Sequence, residues 1–130
     1  MRLWTAILLL GGLLTGSAPA AAEAEHGDAE RGRTIFNGKG ICHYCHGTDG
    51  RPDRRPALSK ETAGVIARLA PNPPDLRKSK NLRLKNDQER FRAIREGHPG
   101  TGMLPDTALT DREITDTLAY LAAMREVRIN

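Results

Sequence analysis

Cys42-His43-Tyr44-Cys45-His46 holds both cysteines of the 130-residue chain. The run reads C-x-x-C-H. Two thiols three positions apart can each add across one vinyl group of a single porphyrin, and the next residue then brings an imidazole under its iron. The pentapeptide is the attachment signature of a c-type haem. Without His46 the pair would be an ordinary dithiol. With only two cysteines the chain has room for one such site, one haem c held through two thioethers.

Working outward, the N-terminus reads as a removable leader. Met1-Arg2 gives a short positive start, Leu3 to Leu14 is an apolar run, and Ala18-Pro19-Ala20 and Ala20-Ala21-Ala22 have the small residues of a cleavage site. The apolar run is too short for a mature membrane span. The expected division is a signal peptide over 1–22, with cleavage near Ala20 or Ala22, and one domain over 23–130. The expected compartment is the periplasm, and no membrane span is expected in the mature chain. Roughly 110 residues remain, enough for one small domain.

That domain has few aromatic residues. Trp4 leaves with the leader, and Phe36, Phe91, Tyr44 and Tyr120 remain. A buried porphyrin would supply the missing apolar surface.

No alternating strand pattern is visible, whereas helix signals recur. Asp28 caps a first helix that ends by Asn37-Gly38, with Ile35 and Phe36 on its apolar side and Gly32 one turn before Phe36. Ser59 caps a short helix carrying Val65, Ile66 and Leu69, ended by Pro71, Pro73 and Pro74. Asn86 and Glu89 open a third, with Phe91 and Ile94 at helical spacing and Gly97 past its end. Thr110 to Glu113 is a capping box, and Leu109 and Ile114 fit its hydrophobic staple. Ile114, Leu118 and Leu121 then form one stripe, with Tyr120 and Met124 beside it. The stretches 47–56 and 97–105 read as loops. The sum is an all-α domain of about four short helices with long loops around one covalently bound haem.

What fills the iron position opposite His46 decides the chemistry. A second strong ligand leaves electron transfer, and an open position allows gas binding or peroxidase-like reactions. The candidates are Met103, Met124, His98, His26 and His43. His43 is inside the attachment loop, His26 is at the new N-terminus, and Met124 is at core spacing on the last helix. Met103 has the best setting. The run Gly100-Thr101-Gly102-Met103-Leu104-Pro105 combines glycines that allow close backbone approach with a proline that fixes the exit.

These residues resemble a family, the single-haem class I cytochromes c of bacterial periplasms. The likeness runs from about Asp28 to about Arg125. It rests on Gly32 with Phe36, on Cys42 to Gly47, on Pro74-Asp75-Leu76, and on Gly102 to Pro105 followed by Tyr120-Leu121. It implies a cytochrome c fold, thioethers at Cys42 and Cys45, and His46 and Met103 as iron ligands. It further implies that the Pro74 carbonyl accepts a hydrogen bond from His46, and that Gly32 and Phe36 cross Tyr120 and Leu121. The haem carboxylates need donors too. Arg77, Lys80, Asn81 and Arg83 are near in sequence, with nothing to rank them. The stretch 51–71 is longer than in the most compact members and has no assigned role.

The net charge of +4 becomes +3 without Arg2. Arg77, Lys78, Lys80, Arg83 and Lys85 concentrate the excess, followed by Arg90, Arg92 and Arg95. Either this is a solvated face or it docks a periplasmic redox partner, a donor dehydrogenase or an acceptor reductase or oxidase. Nucleic acid is not expected, because no aromatic residues interleave the run. The expected function is a one-electron carrier and not an enzyme. Three alternatives are a gas sensor or peroxidase-like protein with an open distal site, a thiol–disulfide oxidoreductase, and a zinc site. The dithiol chemistry normally sits on a strand–helix unit, which is not evident here. A structural zinc would need two further close ligands.

Overall fold

The computed structural model describes residues 26–78, 80 and 82–126, and the expected leader lies outside them. Five α-helices and no strand occur among the described residues. They are α1 (Ala29–Phe36), α2 (Cys42–His46), α3 (Lys60–Ala67), α4 (Asp87–Glu96) and α5 (Asp111–Glu126). None of these is long and apolar enough to cross a membrane.

The helix starts follow from local chemistry. The Asp28 carboxylate accepts from the Glu30 and Arg31 amides. Ser59 Oγ accepts from the Thr62 amide, and Asn86 Oδ1 from that of Glu89. At α5 the Thr110 hydroxyl accepts from the Glu113 amide while the Glu113 carboxylate accepts from the Thr110 amide. Both staple residues, Leu109 and Ile114, are buried. Gly97 ends α4 at φ 82°, a left-handed value that favours glycine.

Two features depart from the sequence reading. The attachment pentapeptide is itself a one-turn helix, α2, and Thr48–Gly50 forms a 3-10 turn inside the expected loop. Neither segment has amphipathic periodicity. Long-range contacts order them. Within α3, Val65 is 54% exposed. Its neighbour Ile66 takes the buried face, and adjacent helix positions lie about 100° apart.

The core forms where α1 crosses α5. Phe36, Ile94, Leu109, Ile114, Leu118, Tyr120 and Leu121 make one buried cluster. The Phe36 and Tyr120 rings meet edge to face at 5.6 Å. Gly32 is the contact point. A Cβ there would stand 1.9 Å from the Asp116 carbonyl oxygen and 2.9 Å from Tyr120 Cβ. The glycine is present because no side chain fits.

Polar groups tie the same crossing. Asp116 is 1% exposed and accepts from the Asp28 amide at 2.8 Å, from Arg31 Nε at 3.0 Å and from Arg112 Nε at 3.1 Å. Beside it, Asp49 takes a two-pronged hydrogen bond from Arg33 and further bonds from Asn37 and the Tyr120 hydroxyl. Asp49 holds a left-handed φ of 53° in the turn after α2. The network thereby fastens the attachment segment to both crossing helices.

These carboxylates set an acid limit on stability. Burial alone would push the Asp116 carboxyl up. The Arg31 hydrogen bond, the Asp28 amide and the Arg112 charge outweigh it and hold the group below its ordinary 3.8. The Arg33 hydrogen bond holds Asp49 well below the same value, and the Arg77 hydrogen bond lowers Asp75. An unfolded chain therefore binds more protons in acid than the folded one. The stability these groups contribute is complete above about pH 5 and is lost as pH falls through their depressed folded values. Urea midpoints are expected to be lower at pH 3 than at pH 6. Asp116→Asn should weaken the protein at pH 6 and narrow that gap, and an unchanged gap would remove Asp116 from the account.

Candidate haem site

A cleft of about 780 Å³ opens between α2, α3 and the face of α4 and α5 that carries Ala93, Ile94, Thr117 and Leu121. Its apolar lining includes Phe36, Ile66, Leu76 and Leu82. Cys42, Cys45 and His46 all stand on it, because i, i+3 and i+4 of a helix share a face.

His46 is held in one orientation. Its Nδ1 donates to the Pro74 carbonyl oxygen at 3.2 Å. A carbonyl only accepts, so the proton is on Nδ1 and the Nε2 lone pair is free for a metal. Burial pushes the imidazolium down against the pull of the Pro74 bond, which favours this neutral ring. Pro74 follows the cis bond between Ala70 and Pro71 and is the last proline of the stretch Pro71-Asn72-Pro73-Pro74 that the sequence places after α3.

The thiols are the opposite of a reactive dithiol. Burial, with help from the Asp106 charge, pushes Cys42 up to about 12. Burial also raises Cys45, though Arg55 works against it. Redox dithiols have lowered values. The zinc alternative lacks ligands as well, since no group of three His, Cys, Asp or Glu side chains able to hold a metal occurs among the described residues.

Of the five candidates for the second ligand, Met103 and His98 line the cleft. His43 is taken, with Nδ1 donating to the Phe36 carbonyl at 3.1 Å and the ring edge-on to Tyr44. His26 lines a separate groove with Phe91 and Leu118. Met124 packs beneath Gly50 and against the core.

The loop that carries Met103 is short of freedom. The Met103 amide donates to Thr101 Oγ1 at 3.1 Å, and its carbonyl accepts from the His98 amide at 3.0 Å. Arg95 donates to the carbonyls of Asp106 and Leu109 just beyond the loop. A Cβ at Gly97 would press on the Met103 carbonyl and on Pro105 at 3.0 Å. Gly102 lies against Leu69, whose Cδ2 would stand 2.3 Å from an added Cβ. The stretch 51–71 thus has a task that its composition did not reveal: Leu69 braces the loop, and Thr62 and Ile66 line the cleft. The Met103 side chain packs against the buried cluster, whereas Leu104 is 81% exposed.

The basic run is less uniform than its sequence. The Arg77 guanidinium makes two hydrogen bonds to Asp75, and Lys78 approaches the same carboxylate at 3.6 Å. Lys85 Nζ donates to the Leu82 carbonyl. Lys80 and Arg83 are exposed. Asn81 lies outside the described residues.

The cleft suits a flat apolar group anchored at one edge. It offers two sulfurs, one imidazole with a free lone pair, a thioether from a braced loop and few polar atoms. A family model for cytochrome c matches residues 29–125. No curated protein and no solved structure matches the chain. The match starts in α1 and ends in α5, so it covers the crossing, the attachment helix and the Met103 loop together. The chain belongs to the cytochrome c family, whose domain carries covalently bound haem c and serves haem-based electron transfer.

Proposed function

We propose that the protein is a periplasmic carrier of single electrons and not an enzyme. It holds one haem c through thioethers at Cys42 and Cys45, with His46 and Met103 as its iron ligands. When bound, the group supplies a metal that gains and loses one electron without a bond being broken in the protein. The leader over 1–22 supports export to the compartment where such haems are attached.

The observation that carries the reading is the joint placement of His46 and Met103 on one cleft, each on a fixed support. Pro74 keeps the His46 lone pair available. The braced loop limits reorganisation on electron transfer, and the apolar lining keeps water out. A thioether is a soft ligand that favours the reduced metal, so a His/Met pair gives a high potential. Lys78, Lys80, Arg83 and Lys85 form the docking face for an acidic periplasmic redox partner, and Arg77 contributes less because its guanidinium is committed to Asp75.

The test is optical. The oxidised protein should show the weak near-infrared band of methionine bound to ferric haem, and the reduced protein should not bind carbon monoxide rapidly. A high-spin ferric spectrum with rapid carbon monoxide binding would favour the open-site sensor or peroxidase reading. The denatured protein should give no free thiol on titration and a mass one haem above the chain. Two reactive thiols would sink the covalent assignment.

A further inference from the structure

Three side-chain nitrogens among the described residues are buried with no hydrogen-bond partner: Arg51 Nε, Arg90 Nε and Arg125 Nη1. Buried donors are nearly always satisfied, so an orphan marks a missing acceptor. Arg51 is off the cleft and pairs with Asp53. Arg90 and Arg125 both line it. They come from α4 and α5, the two helices that back the cleft.

Their surroundings are unusual for arginines. The Arg90 nitrogens Nη1 and Nη2 are occupied by Asp87 Oδ1 at 2.6 Å and by the carbonyls of Leu84 and Lys85. Those bonds fix the guanidinium and leave Nε alone. Arg125 makes no hydrogen bond or ion pair among the described residues. Burial and the Arg90 charge both press its guanidinium down. Two like charges converge on an apolar cleft, and although Asp87 and Glu126 act on Arg125 by charge, its buried Nη1 has no hydrogen-bond acceptor.

We infer that Arg90 and Arg125 hold the carboxylates of the haem, one guanidinium from each backing helix. This deepens the single-haem reading and rests on it. It also goes ahead of three candidates suggested by sequence proximity, Arg77, Lys80 and Arg83. Arg77 is committed to Asp75, Lys80 is exposed, and Arg83 meets the cleft at an exposed rim. A guanidinium fork suits a carboxylate better than a lysine does. Paired in this way, the two arginines would offset the negative charge of the carboxylates, which would favour the reduced state of the group.

The experiment compares the haem-loaded wild type with Arg125→Gln, Arg90→Gln and Arg125→Lys. Arg92→Gln, an exposed site on α4, serves as the control. Resonance Raman bending bands of the haem carboxylates report their hydrogen bonding directly. Both glutamine variants should shift these bands and move the ferrous-to-ferric ratio at fixed ambient potential about tenfold toward ferric, or 59 mV in midpoint for one electron. Arg125→Lys keeps the charge and the stem, so it should shift the band with a smaller change in midpoint. It also supplies the reading if the glutamine variant does not fold. Arg92→Gln should change neither. Bands and midpoint equal to wild type in the Arg90 and Arg125 variants would overturn the proposal. So would a wild-type midpoint that responds to inorganic phosphate at constant ionic strength while the bands stay fixed, since the pair would then serve a free anion. The near-infrared methionine band is followed in every sample, so failure of the ligand reading is seen separately.

Discussion

Gly32→Ala is expected to destabilise the domain by about 3 kcal/mol or more, the upper range for forcing atoms into a packed interior. Two effects oppose each other. Alanine is the better helix former by about 1 kcal/mol, and at an exposed site it would win. Here the new methyl would sit 1.9 Å from the Asp116 carbonyl, which is backbone and cannot turn aside. α1 must lift from α5, and the Phe36–Tyr120 contact and the bonds to Asp116 loosen with it. For a domain whose whole stability is on the order of 5–15 kcal/mol, that loss is large. Urea unfolding of the haem-loaded protein measures it. A midpoint equal to or above wild type would mean that the helices can part without cost.

Met103→Ala should leave the fold near intact and change the electronic behaviour most. The near-infrared band should vanish, the reduced protein should bind carbon monoxide, and the midpoint should fall by a few tenths of a volt, within the roughly 0.8 V that axial ligands command. His98→Ala is the matched comparison, because His98 shares the cleft. It should preserve all three properties, because residue 98 holds Thr101 and Met103 through its backbone carbonyl and amide, which alanine keeps. If the wild type lacked the band, and the alanine at 98 but not that at 103 opened the reduced protein to carbon monoxide, the ligand would be His98.

Local chemistry was legible in the chain. The caps at Asp28, Ser59, Asn86 and Thr110 act within three residues of themselves, so a linear reading finds them. The C-x-x-C-H run is likewise complete within five positions. Met103 could be ranked above its rivals because its Gly-Pro loop is contiguous. Arg90 and Arg125 could not be found this way. They lie 35 positions apart in the sequence, and only the packing of α4 on α5 brings them to one cavity. Sequence proximity favoured Arg77, whose guanidinium a neighbouring carboxylate already holds. Asp49 was equally hidden. In a Gly-rich stretch it reads as a turn residue, and its bonds to Arg33, Asn37 and Tyr120 appear only when both ends of the chain are in place.

The crossing of α1 and α5 also dictates an order of assembly. Asp28 and Asp116 are 88 positions apart, so a chain made from its N-terminus has finished the attachment pentapeptide long before α5 exists. Until then Phe36 has no ring to meet, and the cleft lacks a backing helix. During that interval the two thiols stand on an open segment, accessible to whatever chemistry must reach them. Completion of the last helix then shuts the door behind it.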